Sequence, residues 1–78
     1  MKNVTLLELR ENKKARIVDI LAGKGLINRL MHLGLYHGKE IMKISHVGLR
    51  GPVVVKAGRT ILALGHGVAA KILVSPDD

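Results

Sequence analysis

A mainly β fold, a small and strongly bent barrel of about five short strands with one inserted α-helix, is what this sequence predicts, and three observations predict it. Nearly all of the 47% hydrophobic content is Ala, Val, Ile, Leu and Met, with one Tyr and no Phe or Trp, a core chemistry that suits branched side chains on short strands. From Gly23 onward, glycines and prolines cut the chain into runs too short for long helices. Only Leu26, Leu30 and Leu33, with Ile27 beside them, recur at helical spacing.

The elements follow in order. Thr5-Leu6-Leu7-Glu8 fits a capping box: a hydroxyl that accepts from a first-turn amide and a carboxylate that reaches back to the Thr amide, so a short N-terminal helical turn is expected. From Lys13 to Leu21 charged and apolar residues alternate as on a two-faced strand. Gly23-Lys24-Gly25 breaks that strand and opens the leucine helix. Gly34 stands where the helix must end through a left-handed residue, and Gly38 bounds the following turn. A second strand runs from Glu40 to His46, and Val47 to Pro52, with Gly48 and Gly51, is a tight or mobile loop. Val53–Ala57 and Thr60–Leu64 form a hairpin around Gly58-Arg59. Val68–Lys71 makes one helical turn, Ile72–Val74 the last strand, and Ser75 to Asp78 a fraying tail. Pairing is expected to close the sheet and so protect its edges.

At 78 residues the chain is read as one domain, 1–78, near the lower limit for a self-sufficient core. Without Cys it has no disulfide, thiolate metal site or Cys nucleophile. No apolar run approaches the roughly 18 to 20 residues needed to span a bilayer, and Glu8, Arg10 and Glu11 break the first apolar stretch before it can serve as a signal sequence. A cytoplasmic protein with no membrane insertion of its own is expected. Thirteen Lys and Arg against 6 Asp and Glu give a net charge of +7, which attracts phosphates, anionic lipid or an acidic protein surface. Scattered as they are, these cations read first as a solvated surface.

Catalysis is not expected. Four of the 6 acids, Glu8, Glu11, Asp77 and Asp78, lie near the termini, the two serines lack a nucleophile-elbow context, and Gly23-Lys24-Gly25 lacks the rest of a phosphate-binding loop. His32 and His37, which flank one turn, are weak candidate metal ligands; a closed site takes about four ligands, so no cofactor is required and only incidental zinc or iron binding is expected. Lys24, Arg29 and Arg50 are placed to meet phosphates or an acidic partner. Leu49, an apolar residue at the centre of a Gly-rich loop, reads as a contact knob beside Arg50 and Pro52, with a loop folded back on the barrel as the equal alternative. Leu49→Asp should then weaken docking and leave folding nearly intact.

One combination is more specific than its parts: Thr5-Leu6-x-x-Leu9, Ile17-Val18, a Gly-rich approach to a leucine helix, Leu33-Gly34-Leu35-x-x-Gly38, Gly51-Pro52, Ile61-x-Ala63-Leu64 and Ala69-x-x-Ile72-x-Val74. In this order and spacing it resembles the ferrous iron transport protein A (FeoA) family over nearly the whole chain. The resemblance implies an SH3-like barrel and a cytosolic accessory or regulatory role in ferrous iron uptake, exerted by protein–protein contact with the membrane transporter FeoB and its GTP-binding domain. His37 departs from the Pro often found before the second turn glycine, and Gly65-His66-Gly67 replaces charged residues. A related SH3-like domain ends some metal-dependent repressors, so a metal-sensing regulatory domain is one alternative. A small basic barrel that binds nucleic acid is another. With Tyr36 as its single aromatic the chain lacks stacking platforms, so that binding should be weak and nonspecific. Self-association into a homo-oligomer stays open.

Overall fold

The computed structural model describes residues 2–48 and 50–77. Six strands and two short helices follow one another: β1 (Val4–Thr5), β2 (Lys14–Ile20), α1 (Lys24–His32), β3 (Glu40–His46), β4 (Val53–Ala57), β5 (Thr60–Leu64), α2 (His66–Ala69) and β6 (Ile72–Pro76). All pairings are antiparallel, in the order β1-β6-β2-β3-β4-β5. The predicted strands are therefore present, with one more than expected. β1 is two residues long, too short to show a period, and it exists because Val4 and Thr5 pair with Val74 and Leu73. The expected closure is not realised: among the described residues the sheet ends on β1 and on β5.

A bulge between Ile17 and Asp19 lets β2 bury Ala15 and Ile17 and then Ile20, which a strict alternation would expose. The Asp19 carboxylate accepts the Ile20 N–H at 2.8 Å beside that irregularity. A second bulge lies between Lys43 and Ser45 in β3. The two bends, together with a link of only Gly65 to Lys71 between β5 and β6, curl the sheet around Ile17, Leu30, Ile41, Val53, Val55, Ile72 and Val74. α2 begins at His66, two residues before the expected turn, and its buried Ala69 packs into this core.

α1 ends as Gly34 predicts. Gly34 has φ 94°, its N–H donates to the Met31 carbonyl at 3.0 Å, and the Leu35 N–H reaches the Leu30 carbonyl at 2.8 Å. This is a Schellman cap, and its customary apolar contact is made by Leu30 and Leu35, both buried. The expected helix stripe is corrected accordingly: Leu33 is 42% exposed, because the cap turns the chain at Gly34 and gives the inward place to Leu35.

Segment 6–9 forms the expected helical turn. The Glu8 carboxylate accepts the Thr5 N–H at 2.9 Å, but the Glu8 and Leu9 amides go to the Thr5 carbonyl at 3.0 and 3.1 Å, where a hydroxyl acceptor was expected. The bonds of Glu8 to the Thr5 backbone first, and to its side chain second, hold the Glu8 carboxyl below its usual range. Under this turn lies Lys43, which the charge pattern had placed on the surface. It is 2% exposed, the one buried charged residue among those described. Its ammonium donates to the carbonyls of Leu6, Leu7 and Leu9 at 2.9, 3.0 and 2.7 Å, filling all three of its donor positions. Burial pulls its pKa down, and Glu11 opposes that pull.

Candidate docking surface

Lys24 and Arg29 are exposed on α1, five positions apart, so they point about 140° from one another around the helix. Beyond α1, Tyr36 to Lys39 make a tight turn with the Lys39 N–H on the Tyr36 carbonyl at 3.0 Å and Gly38 at φ 92°, a third-position geometry that needs Gly. The departure from Pro at His37 leaves this turn intact. It is anchored from both sides, by the Gly38 N–H on the Ile17 carbonyl at 2.7 Å and by an Arg16 guanidinium N–H on the Gly38 carbonyl at 2.7 Å.

The β3–β4 loop lies at the other end of β3, about 20 Å of strand away from that turn. The His46 N–H, at its base, donates to the Glu11 carboxylate at 2.9 Å, and the Val47 N–H donates to the Pro52 carbonyl at 3.1 Å. Gly51 has a steric duty that the sequence suggested only as flexibility, since a Cβ there would overlap the Val47 carbonyl oxygen. Arg50 and Pro52 are exposed. Leu49, the expected knob, lies outside the described residues. Val47, missed by the sequence reading, is an exposed apolar side chain at the start of this loop, 58% accessible. The candidate contacts thus fall into two groups, Lys24 and Arg29 on the helix, Arg50 and Pro52 on the loop.

A third surface was not foreseen. Lys14, Met42, Lys56 and Ile61 are register partners across β2, β3, β4 and β5, so they form one row on the outer face. Lys14, Met42 and Lys56, with Glu40 and Gly58, line a shallow hollow of about 280 Å³. The Lys39 ammonium sits 5.9 Å from the Tyr36 ring centroid, and lies 3.5 Å from where a Gly58 Cβ would be, which brings a further cation to the same side. A hint was present in the sequence, in the cations of Lys14 and Lys56 at outward positions of alternating strands, but the row needs the strand order to be seen.

The histidines are divided. His32 is exposed with its Nδ1 on the Asn28 carbonyl at 2.7 Å. His37 and Asp19 line a hollow of about 170 Å³ with Ile20, Ile27, Met31 and Tyr36, which supplies a carboxylate that sequence proximity did not reveal. His46 and His66 lie with ring centroids 6.3 Å apart, and His46 Nε2 is buried without a partner. Among the described residues no three His, Cys, Asp or Glu side chains are grouped to hold a metal ion.

Comparison with known proteins settles the family. The FeoA domain model matches residues 4–76, from β1 to the end of β6. The chain belongs to the FeoA domain family. A putative Fe(2+) transport protein A of Methanocaldococcus jannaschii is 31% identical over 65 residues, 83% of this chain and 77% of that protein. Among solved structures, that of an iron uptake regulatory protein (FeoA) superposes with a TM-score of 0.87 at 27% identity, covering 99% of this chain and 100% of the other. Zinc-complexed FeoA of Stenotrophomonas maltophilia, described as a prokaryotic SH3 domain protein, gives 0.76 at 28% identity over 92% of this chain and 89% of its own. The fold is accordingly mainly β and SH3-like, as expected, with an open six-stranded sheet.

Proposed function

We propose that this FeoA-family chain is a cytoplasmic accessory protein of ferrous iron uptake, which acts by docking on the cytosolic, GTP-binding portion of the membrane transporter FeoB. The observation that carries this reading is the family match across the whole folded sheet, residues 4–76, supported by a relative named as an Fe(2+) transport protein. The surface is suited to the task. A net charge of +7 favours encounter with an acidic protein face, and exposed Lys24, Arg29, Arg50 and Pro52 offer cations and a rigid loop edge for contact. Leu49 keeps its place in this reading on sequence grounds alone. The reading assigns the chain no catalytic step and no obligatory metal. It also places it outside the bilayer, in keeping with the lack, among the described residues, of any helix long and apolar enough to cross one.

The test is a titration of the chain against the purified GTP-binding portion of the transporter, repeated as salt is raised. Saturable binding that weakens with salt, and weakens further in Arg29→Glu and Arg50→Glu, is expected. No association at low salt would overturn the reading, as would tight binding at physiological salt to a single RNA or DNA sequence.

A further inference from the structure

β5 is a bare edge. Thr60–Leu64 contains no charged residue and no proline, and its register with β4 runs without a bulge, so the devices that usually blunt an edge strand are missing. Ala57 and Thr60 flank the two-residue turn Gly58-Arg59, with Gly58 at φ 63°, and form the hydrogen-bonded pair that closes this hairpin. Antiparallel alternation then turns the N–H and C=O of Leu62 and Leu64 toward β4 and aims those of Ile61 and Ala63 away from it. The same two residues carry exposed side chains, and Ile61 is the most exposed large apolar residue described, at 64%. Among the described residues no loop or cap bond reaches Ile61 or Ala63, and β4 is the one strand paired with β5.

The surroundings select the occupant. Lys56 is the cross-strand neighbour of Ile61, Arg59 is in the turn, and the Lys39 ammonium lies beside Gly58. A strand added to β5 would lie about 10 Å from β4, within the joint reach of a lysine stem and a glutamate. A second copy of this chain would instead bring a second +7 body to a cationic rim.

We propose that the β5 edge receives an extended segment of a partner protein as a seventh strand, with apolar side chains on the inward face beside Leu62 and Leu64 and alternate acidic ones on the outer face, reaching across Ile61 to Lys56 and Arg59. For the partner's nature the inference rests on the docking reading above; the edge itself rests on the register of β4 and β5. The probe is a blocked synthetic peptide of about six residues, alternating Glu and Val, with a Lys/Val peptide as control. The readout is amide exchange by NMR at physiological salt.

Ile61 and Ala63 amides are expected to exchange fast in the free chain and to slow at least tenfold with the Glu/Val peptide. The Lys/Val peptide should leave them fast. Ile61→Pro deletes an outward donor without removing a bond to β4, so it should weaken peptide binding about tenfold with a near-native melting temperature. Ala63→Pro does the same one register further along and serves if the first variant does not fold. Amides at 61 and 63 that are already slow in the monomer, or equal binding of the two peptides, would overturn the proposal. Slow amides in a concentration-dependent dimer would overturn the occupant in favour of a second copy. If the transporter portion binds wild type and both proline variants equally, the edge proposal falls and the docking reading stands. If the peptide protects both amides while the transporter portion does not bind, the docking reading falls and the edge stands.

Discussion

The two ends of the sheet are built by opposite strategies. At one end β1 is two residues long, and the turn that follows it is tied to the body of the fold by the Lys43 ammonium on three carbonyls and by the Leu6 N–H on the Ile72 carbonyl at 3.0 Å. Leu6 and Leu9 are buried there. At the other end β5 presents five residues with no charge, no proline and no bulge, held from one side only. A short edge that is locked from beneath cannot recruit a new strand, whereas a longer neutral edge can. The contrast assigns stability to one end of the sheet and contact to the other.

Lys43→Met should produce the largest loss of stability, about 2–5 kcal/mol, because it takes the donor from three carbonyls beneath the N-terminal turn, those of Leu6 and Leu9 buried and that of Leu7 partly so. Chemical denaturation measures it, and a loss under 1 kcal/mol would remove the distinction between the ends. Gly34→Val comes next at about 1–3 kcal/mol, since a β-branched residue is strained at φ 94°, while Lys24→Ala on the exposed face of the same helix should lie within about 0.5 kcal/mol of wild type. Equal melting temperatures for the three proteins would contradict the Schellman cap. Charge placed on the free edge by Ile61→Lys should cost still less, under about 0.5 kcal/mol, because that side chain already faces solvent.

The pH dependence sharpens the same contrast. Glu8, at the locked end, holds its carboxyl below the ordinary value, so its contribution is complete above the unfolded pKa and disappears as pH falls through the lowered folded value. Glu8→Gln should therefore flatten the acid side of the melting-temperature curve. Lys43, with its pKa lowered by burial, binds its proton less tightly folded than unfolded. Its contribution to stability should accordingly rise as pH climbs from the lowered folded value toward the ordinary lysine value, a rise absent from Lys43→Met.

Much of the fold was legible in the chain because it rests on local chemistry. Gly34 and Gly38 announced turns that require positive φ, and the Glu40–His46 strand was bounded by its glycines and its loop. Lys43 could have been found, since it shares the inward face of Ile41 two residues before it, but a lysine in a chain of charge +7 is first read as surface. β1 and the β5 edge were not legible for a different reason. Strand order is a long-range property, and no local pattern states which strand has one neighbour. Lys24, Arg29, Arg50 and Pro52 are exposed, but their separation into helix and loop groups, and the row Lys14–Met42–Lys56–Ile61 between strands, appear only once the register is known.

The central claim, that this chain serves ferrous iron uptake by contact with the transporter, is tested most directly by iron entry into cells. Radiolabelled ferrous iron uptake would be followed in cells that keep the transporter but lack this chain. We predict an altered initial rate that the wild-type chain restores and that a folded Arg29→Glu/Arg50→Glu variant does not. An unchanged rate in cells without the chain, with the transporter present at its normal level, would contradict the claim.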